Sequence, residues 1–451
     1  MKKKYFGTDG IRGTSNSFPM TPDIALKVGI AVGKKFINGS HRHRAVIGKD
    51  TRLSGYVIEP ALTSGLAAAG MDVFLVGPVP TPAVSMLTRS LRADIGIMIS
   101  ASHNPYHDNG IKIFDKDGQK ISDSIEKQIE QMLDNKNINR YLAKPNHLGR
   151  VKRLEDARGR YIESVKATFP KGQNLNNLKI VVDSANGAAY NMASTILWEL
   201  GAEVISIGDE PNGFNINSDC GSTQPELLCK AVVKNKADIG IALDGDADRL
   251  VVVDERGKII AGDKIIALIA KKLHESGALK NNAVVATQMS NLALEKYLKN
   301  DLGLELIRTA IGDRYVLEEM NKSGYNFGGE QSGHLILGDY STTGDGLIAA
   351  LQILSILCNQ QKPISQIANI FSLSPQVLKN IRYEQSKSNP LENKQLQDFI
   401  IDQQTKIAEN GRILVRKSGT ENLIRVMVEG KSNKLINDIA DQIINHIKKF
   451  I

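Results

Sequence analysis

The pentapeptide Ala93-Asp94-Ile95-Gly96-Ile97 recurs letter for letter as Ala237-Asp238-Ile239-Gly240-Ile241. A matching helix-to-strand junction precedes each copy, Gly70-Met71-Asp72-Val73 before the first and Gly201-Ala202-Glu203-Val204 before the second. Matches that keep their order and their structural place mark two copies of one α/β unit. The second copy is longer between its two matching points, and the extra residues are expected at 212–223, where Gly, Asn and Ser crowd together. A third unit is expected from 283–287 through 304–307 to 325–328, without letter-for-letter identity. In the first unit a helix is expected over 22–36, a strand at 45–47, a buried helix at 60–69 and a strand at 71–76.

Strands alternating with helices up to about residue 365 predict parallel or mixed sheets covered by helices. The remainder differs. From about Val377 onwards, strands at 413–416 and 423–428 precede a closing helix at 435–448, an α+β pattern. The expected fold class is therefore α/β, with three similar α/β domains (1–152, 153–255 and 256–368) and a smaller C-terminal α+β domain (369–451). A chain of 451 residues is too long for one core, in keeping with such a division.

The net charge of +8 suits an anionic partner. Beyond Lys2-Lys3-Lys4 the basic residues are dispersed, and aromatic residues at 5% leave little for base stacking, so nucleic acid is not the expected partner. A small phosphorylated substrate accounts for the sign equally well. Cys220, Cys229 and Cys358 are widely spaced and odd in number, and no CxxC or Cys/His spacing suggests zinc; the expected compartment is reducing. No apolar stretch follows Met1, and the most apolar segment, 347–358, is interrupted by Gln352 and too short to span a bilayer, so neither signal peptide nor membrane is expected. The expected location is the cytoplasm.

Four stretches carry chemistry. Ile95 to Ile99 reads as a buried strand ending abruptly in Ser100-Ala101-Ser102-His103-Asn104-Pro105, which places Ser102 on a loop at a strand's carboxyl end, where open α/β sheets do their chemistry. Its hydroxyl is a candidate nucleophile or phosphoryl carrier, with His103 and Lys112 close in sequence. Asp244-Gly245-Asp246-Ala247-Asp248-Arg249 is expected to converge three carboxylates on one hard cation, because alternate residues of an extended chain point to the same side. An EF-hand is disfavoured: its sixth position needs Gly and holds Arg249, and the flanks are strand-like. Gly328-Gly329-Glu330-Gln331-Ser332-Gly333-His334 offers donors and acceptors suited to sugar hydroxyls. Arg416-Lys417-Ser418-Gly419-Thr420-Glu421, with Arg425 beyond it, makes a nest for a phosphate without the pattern of a nucleotide loop. The opening Phe6 to Gly13 adds Arg12 as a further phosphate ligand.

These four motifs in this order, with that opening and this length, resemble the α-D-phosphohexomutase superfamily over essentially the whole chain. Within it, Phe6 to Gly13, Ile99-Ser100-Ala101-Ser102 and Gln331 are most similar to the bacterial branch acting on glucosamine phosphates. Asn422 departs from the Pro or Ser that many relatives carry, a change expected to alter loop stiffness more than chemistry. The resemblance implies four domains around a central cleft, with Ser102 phosphorylated in the active enzyme and Mg2+ held by its phosphate with Asp244, Asp246 and Asp248. It implies interconversion of glucosamine 6-phosphate and glucosamine 1-phosphate through a hexosamine 1,6-bisphosphate, on the way to UDP-N-acetylglucosamine.

In that scheme Glu330 and Ser332 bind hydroxyls, and the nest of Arg416, Ser418, Gly419, Thr420 and Arg425 holds the phosphate that is not reacting. Arg12, Arg249 and Lys112 stabilise charge, and Lys112, His103 and His334 are the candidates for general base and acid, Lys112 being favoured. A homodimer is left open. The rival readings are a sister mutase of glucose or mannose phosphates, a magnesium-dependent sugar phosphatase, and a non-catalytic sugar-phosphate sensor or nucleic-acid binder, which the +8 charge permits.

Overall fold

The computed structural model describes residues 4–7, 9–135, 137–383, 390–407, 410–417 and 422–451. Its first sheet contains β1 (Ile11–Thr14), β2 (Arg44–Lys49), β3 (Asp72–Pro78), β4 (Ile95–Ile99), β5 (Asp108–Asp115) and β6 (Val151–Arg153), in the order β1-β5-β4-β2-β3-β6. The second contains β7 (Lys179–Asp183), β8 (Glu203–Ile207), β9 (Ile239–Leu243), β10 (Leu250–Asp254) and β11 (Ile259–Ile260), in the order β11-β10-β9-β7-β8. The third contains β12 (Ala283–Thr287), β13 (Glu305–Thr309), β14 (Phe327–Gly329) and β15 (Leu335–Leu337), in the order β13-β12-β14-β15.

One four-stranded pattern underlies all three sheets. In the first, β2 runs parallel to β3 and β4, and β4 pairs antiparallel with β5. In the second, β7 runs parallel to β8 and β9, and β9 pairs antiparallel with β10. In the third, β12 runs parallel to β13 and β14, and β14 pairs antiparallel with β15. The repeated pentapeptide brackets the starts of β4 and β9, which occupy the same place in the pattern. The third copy, which shares no such identity, repeats the topology. The chain between β8 and the helix Glu226–Asn235 covers the stretch where the extra residues of the second copy were expected.

The central strands β4, β9 and β12 are apolar and completely buried, as strands covered by helices on both faces must be, whereas the parallel strands β8 and β13 at the sheet edges are half-buried. The helix Gly346–Gln360 is apolar on nearly every face and packs on β9, β10 and β15, joining the second and third units in one core. The final unit is distinct. Antiparallel β16 (Gln376–Arg382), β17 (Arg412–Lys417) and β18 (Leu423–Glu429), in the order β16-β18-β17, pack with the helices Lys394–Ile407 and Asn433–Ile447 around their own core. It docks on the third unit through Arg412, whose guanidinium donates to the carbonyls of Gln288 (2.6 Å) and Ser290 (2.8 Å). Buried Glu429 pairs with Arg412 and accepts from the Leu292 amide at 3.2 Å.

Two expectations need correction. The helix placed at 60–69 spans Gly55–Ala69, with Pro60 inside it rather than at its start. The Asp244–Asp248 segment is a turn rather than extended chain: the Ala247 amide donates to the Asp244 carbonyl at 2.9 Å, and Ala247 has φ 57°. A chain reversal, and not strand alternation, brings the carboxylates together.

The helix Gly55–Ala69 crosses Pro22–Phe36 at two glycines, with backbone against backbone: a Cβ on Gly29 would lie 2.4 Å from the Leu62 carbonyl oxygen. Gly29→Ala is therefore expected to destabilise the protein by about 1–3 kcal/mol in urea unfolding through overpacking. In an uncrowded helix the same change stabilises by about 1 kcal/mol, so an unchanged or raised stability contradicts the close crossing.

Candidate active site

The loop between the antiparallel pair of each unit faces one central cleft. The β4–β5 loop carries Ser102, the β9–β10 loop carries Asp244, Asp246, Asp248 and Arg249, and the β14–β15 loop carries Glu330 and His334. The three loops touch. The Ser102 hydroxyl donates to Asp244 Oδ2 at 2.6 Å, and the Leu250 amide donates to the Gly333 carbonyl at 3.0 Å. His334 Nδ1 lies 3.5 Å from Asp248 Oδ1. Three repeats of one strand pattern thus deliver a hydroxyl, a carboxylate cluster and an imidazole to a single point.

The carboxylate cluster is buried, and one oxygen from each of Asp244, Asp246 and Asp248 lies within 4.8 Å of the others. Burial, followed by the charges of Asp248 and Asp246, pushes the Asp244 carboxyl up to about 8. Such a cluster of hard oxygen donors, overcharged for its burial, fits a divalent cation of the magnesium type. Lys112 offsets part of the charge, with Nζ 2.7 Å from Asp246 Oδ2, 3.5 Å from Asp248 Oδ2 and 3.4 Å from Asp9 Oδ2. The Thr81 hydroxyl, at the start of the helix Thr81–Ser90, fixes Asp246 Oδ2 at 2.6 Å.

The cleft beside this cluster encloses about 1070 Å³ and is lined by Arg12, Arg249, Glu330, Arg416, Lys417 and Arg425, among others. Arg416 stands opposite Arg425 across the β17–β18 pair, and burial together with the Arg425 charge lowers its hold on its proton. Two guanidiniums so placed suit an anion between them. Ser332 is exposed and does not line the cleft, unlike its neighbour Glu330. Ser418, Gly419 and Thr420 lie outside the described residues.

Three further residues enter that sequence motifs did not assign. Asp9 pairs with Arg12 (2.5 Å) and with Lys120 (2.5 Å), and Lys120 also reaches Asp313 at 2.5 Å. His334 Nε2 is 3.6 Å from the same Asp313 carboxylate. A chain of alternating charge thus runs from the amino-terminal loop through the third unit to the metal-type cluster. The partners are far apart in sequence and belong to no contiguous motif.

The four domain profiles of the phosphoglucomutase/phosphomannomutase family match this chain: α/β/α domain I over residues 3–140, domain II over 159–257, domain III over 261–373 and the C-terminal domain over 378–446. The chain belongs to the phosphoglucomutase/phosphomannomutase family. A phosphoglucosamine mutase of Parvibaculum lavamentivorans is 59% identical over 443 residues, 98% of either chain, and further relatives at 55–60% identity carry the same name. Among solved structures, a phosphoglucomutase/phosphomannomutase family protein of Burkholderia thailandensis shares the fold with a TM-score of 0.83 at 24% identity, over 98% of this chain and 97% of that one. An N-acetylphosphoglucosamine mutase of Aspergillus fumigatus, solved with GlcNAc-6P and magnesium, shares it with a TM-score of 0.70 at 18% identity, over 99% and 96%.

In this phosphohexomutase the three candidate proton carriers differ sharply. Burial alone would strip Lys112 of its proton, yet Asp246, Asp9 and Asp248 outweigh it and raise its pKa well above the ordinary value. Burial likewise opposes charging His334, but Asp248 and Asp313 outweigh it and lift the imidazole to about 9. His103 goes the other way: burial, then Arg249 and Arg12, lower it to about 4 and keep it neutral, with Nδ1 3.4 Å from Ser102 Oγ.

Because its folded pKa is raised, His334 contributes stability that is fully present below its ordinary value of 6.5 and is lost as pH rises through about 9. The unfolding free-energy difference between wild type and His334→Gln, measured in EDTA, is expected to shrink across that interval. A difference that does not change with pH contradicts the imidazolium between Asp248 and Asp313.

Proposed function

We propose that this protein interconverts glucosamine 6-phosphate and glucosamine 1-phosphate through a phosphorylated Ser102 and a hexosamine 1,6-bisphosphate, as a step toward UDP-N-acetylglucosamine. The observation that carries this reading is the position of Ser102 Oγ, 2.6 Å from Asp244 in a buried carboxylate cluster at the edge of a cleft that also holds Arg416 and Arg425. A mutase needs both features: a place where phosphoryl groups are exchanged, and a second place for the phosphate that is not reacting.

In the forward half, the bond between phosphorus and Ser102 Oγ breaks while a bond to the sugar O1 forms. The sugar hydroxyl loses one proton and Ser102 Oγ gains one. His103, neutral and 3.4 Å from Oγ, is within reach of the serine's proton, and Lys112 and His334 are the other candidates for the exchange. Lys112, Arg12 and Arg249 remain cationic and are preorganised for the charge on the transferring group. The bisphosphate then presents its other phosphate, and the 6-phosphoryl returns to Ser102 by the same exchange in reverse. Arg416 and Arg425 hold whichever end is distal, and Glu330 binds hydroxyls in both poses. A hexosamine 1,6-bisphosphate also serves as activator, because it rephosphorylates a bare Ser102.

Mg2+ bound by Asp244, Asp246, Asp248 and the Ser102 phosphate would supply Lewis-acid stabilisation of the same charge. The magnesium and sugar phosphate bound to the Aspergillus fumigatus protein support this choice of ion and substrate class. This reading locates the protein in the cytoplasm, in keeping with its three free thiols. Among the described residues no helix is long and apolar enough to cross a membrane.

The test compares kcat/KM of the Ser102-phosphorylated protein for glucosamine, glucose and mannose 6-phosphates. A strong preference for glucosamine 6-phosphate is expected. A preference for glucose or mannose keeps the mechanism and moves the chain to a sister specificity, so that the resemblance at Gln331 would not carry the substrate assignment.

A further inference from the structure

Arg52 is among the largest side chains fully buried in the molecule, and its five N–H donors are all engaged close to the phosphoryl-carrier loop. Its Nε donates to Asp50 Oδ2 at 2.7 Å. One terminal nitrogen donates to the carbonyls of Ser102 and Asn104, each at 2.8 Å, and the other to those of Pro105 and Asp108, the latter at 3.0 Å. Asp50 extends the grip: its Oδ2 accepts from the Ser100 hydroxyl at 2.6 Å, and Ser100 Oγ accepts from the Ser102 amide at 2.9 Å. Both backbone groups of Ser102 are therefore tied to one ion pair.

The second unit adds to this tether. Asn217 Nδ2 donates to the carbonyls of Ser102 at 2.9 Å and Asn104 at 3.1 Å. Ser102 itself sits at φ 52°, a left-handed conformation that a non-glycine residue adopts only where its surroundings over-determine it. The other two units show what is special here. The turns after β7 and β12 use a similar side-chain bond to a backbone amide, Ala185 to Asp183 at 2.9 Å and Met289 to Thr287 at 3.3 Å. Ala185 and Met289 have no side-chain donor to offer a neighbouring loop, and an arginine two residues on occurs only in the unit that carries the serine.

We infer that Arg52 is a positioning residue of the reaction: through Asp50, Ser100 and four loop carbonyls it locks Ser102 in the strained conformation that aims Oγ at the carboxylate cluster. With every donor committed, its guanidinium has none left for a substrate phosphate, so it acts only through the loop. Lysine cannot replace it, because an ammonium offers three donors where the planar fork offers five. The inference rests on the proposed phosphoryl transfer at Ser102.

The experiment uses full-length wild type, Arg52→Lys and Ser100→Ala, each phosphorylated at Ser102 by glucose 1,6-bisphosphate and quantified by mass spectrometry. Three quantities are read per phosphorylated molecule: kcat and KM for glucosamine 6-phosphate, and release of inorganic phosphate in the absence of sugar. A misplaced nucleophile costs about 10²-fold, so Arg52→Lys is expected to lose about that much in kcat with KM unchanged, and to release more phosphate per transfer. Ser100→Ala, which removes a single hydroxyl and leaves the buried charge pair intact, is expected to shift the same quantities in the same direction by less; it carries the test if Arg52→Lys does not fold. Wild-type kcat in the variants, or a raised KM with kcat kept, overturns the inference while the functional reading stands. A wild type that takes no phosphate on Ser102 and turns over no hexose phosphate removes both.

Discussion

Three carboxylates cannot share one buried spot without cations, and much of the architecture around the cleft follows from that electrostatic constraint. Burial and mutual repulsion already push Asp244 up to about 8, and only the charge of Lys112, Arg249 and His334 holds Asp248 well below its ordinary value against the same burial. Each of those cations comes from a different unit: Lys112 from β5 of the first, Arg249 from the second and His334 from the third. The cluster lies on one loop, but its charge is balanced by all three units together. In the proposed reaction the same cations would face the transferring phosphoryl group.

The repeat explains how such convergence arises. Because every unit ends its central strands with an antiparallel pair, every unit presents one loop at the same place in its sheet. The three loops differ in the chemistry they carry: the first brings a hydroxyl, the second a set of anions, and the third a carboxylate with an imidazole. The fourth unit breaks the pattern. It supplies Arg416 and Arg425 from an antiparallel sheet with a separate core, tied to the third unit by the Arg412–Glu429 pair. The guanidiniums of Arg416 and Arg425 line the far side of the cleft.

Much of this was legible in the sequence because the relevant residues are contiguous. The pentapeptide announced the repeat, and the Ser102, Asp244–Asp248 and Glu330–His334 stretches each sit in one loop. The third unit escaped identification by identity because its equivalence lies in strand order rather than in letters. The Asp9–Lys120–Asp313 chain and the grip of Arg52 join residues from distant parts of the chain, and no local spacing encodes them. Local pattern misled at the carboxylates: Asp244 to Asp248 alternate like a strand but fold as a turn at Ala247. The size of the charge shifts could not be read from residue type, since Lys112 is raised by Asp246, Asp9 and Asp248 and His103 is lowered by burial, Arg249 and Arg12, partners mostly distant in sequence.

The most direct test of the central claim is a single turnover with isotopically labelled phosphate on Ser102, mixed with glucosamine 6-phosphate and magnesium and quenched over time. The account predicts that label leaves Ser102 for the sugar and appears first in glucosamine 1,6-bisphosphate, then in the monophosphate pool, with little inorganic phosphate. Label released directly as inorganic phosphate, with no sugar bisphosphate formed, would contradict it and make the protein a phosphatase built on the same scaffold.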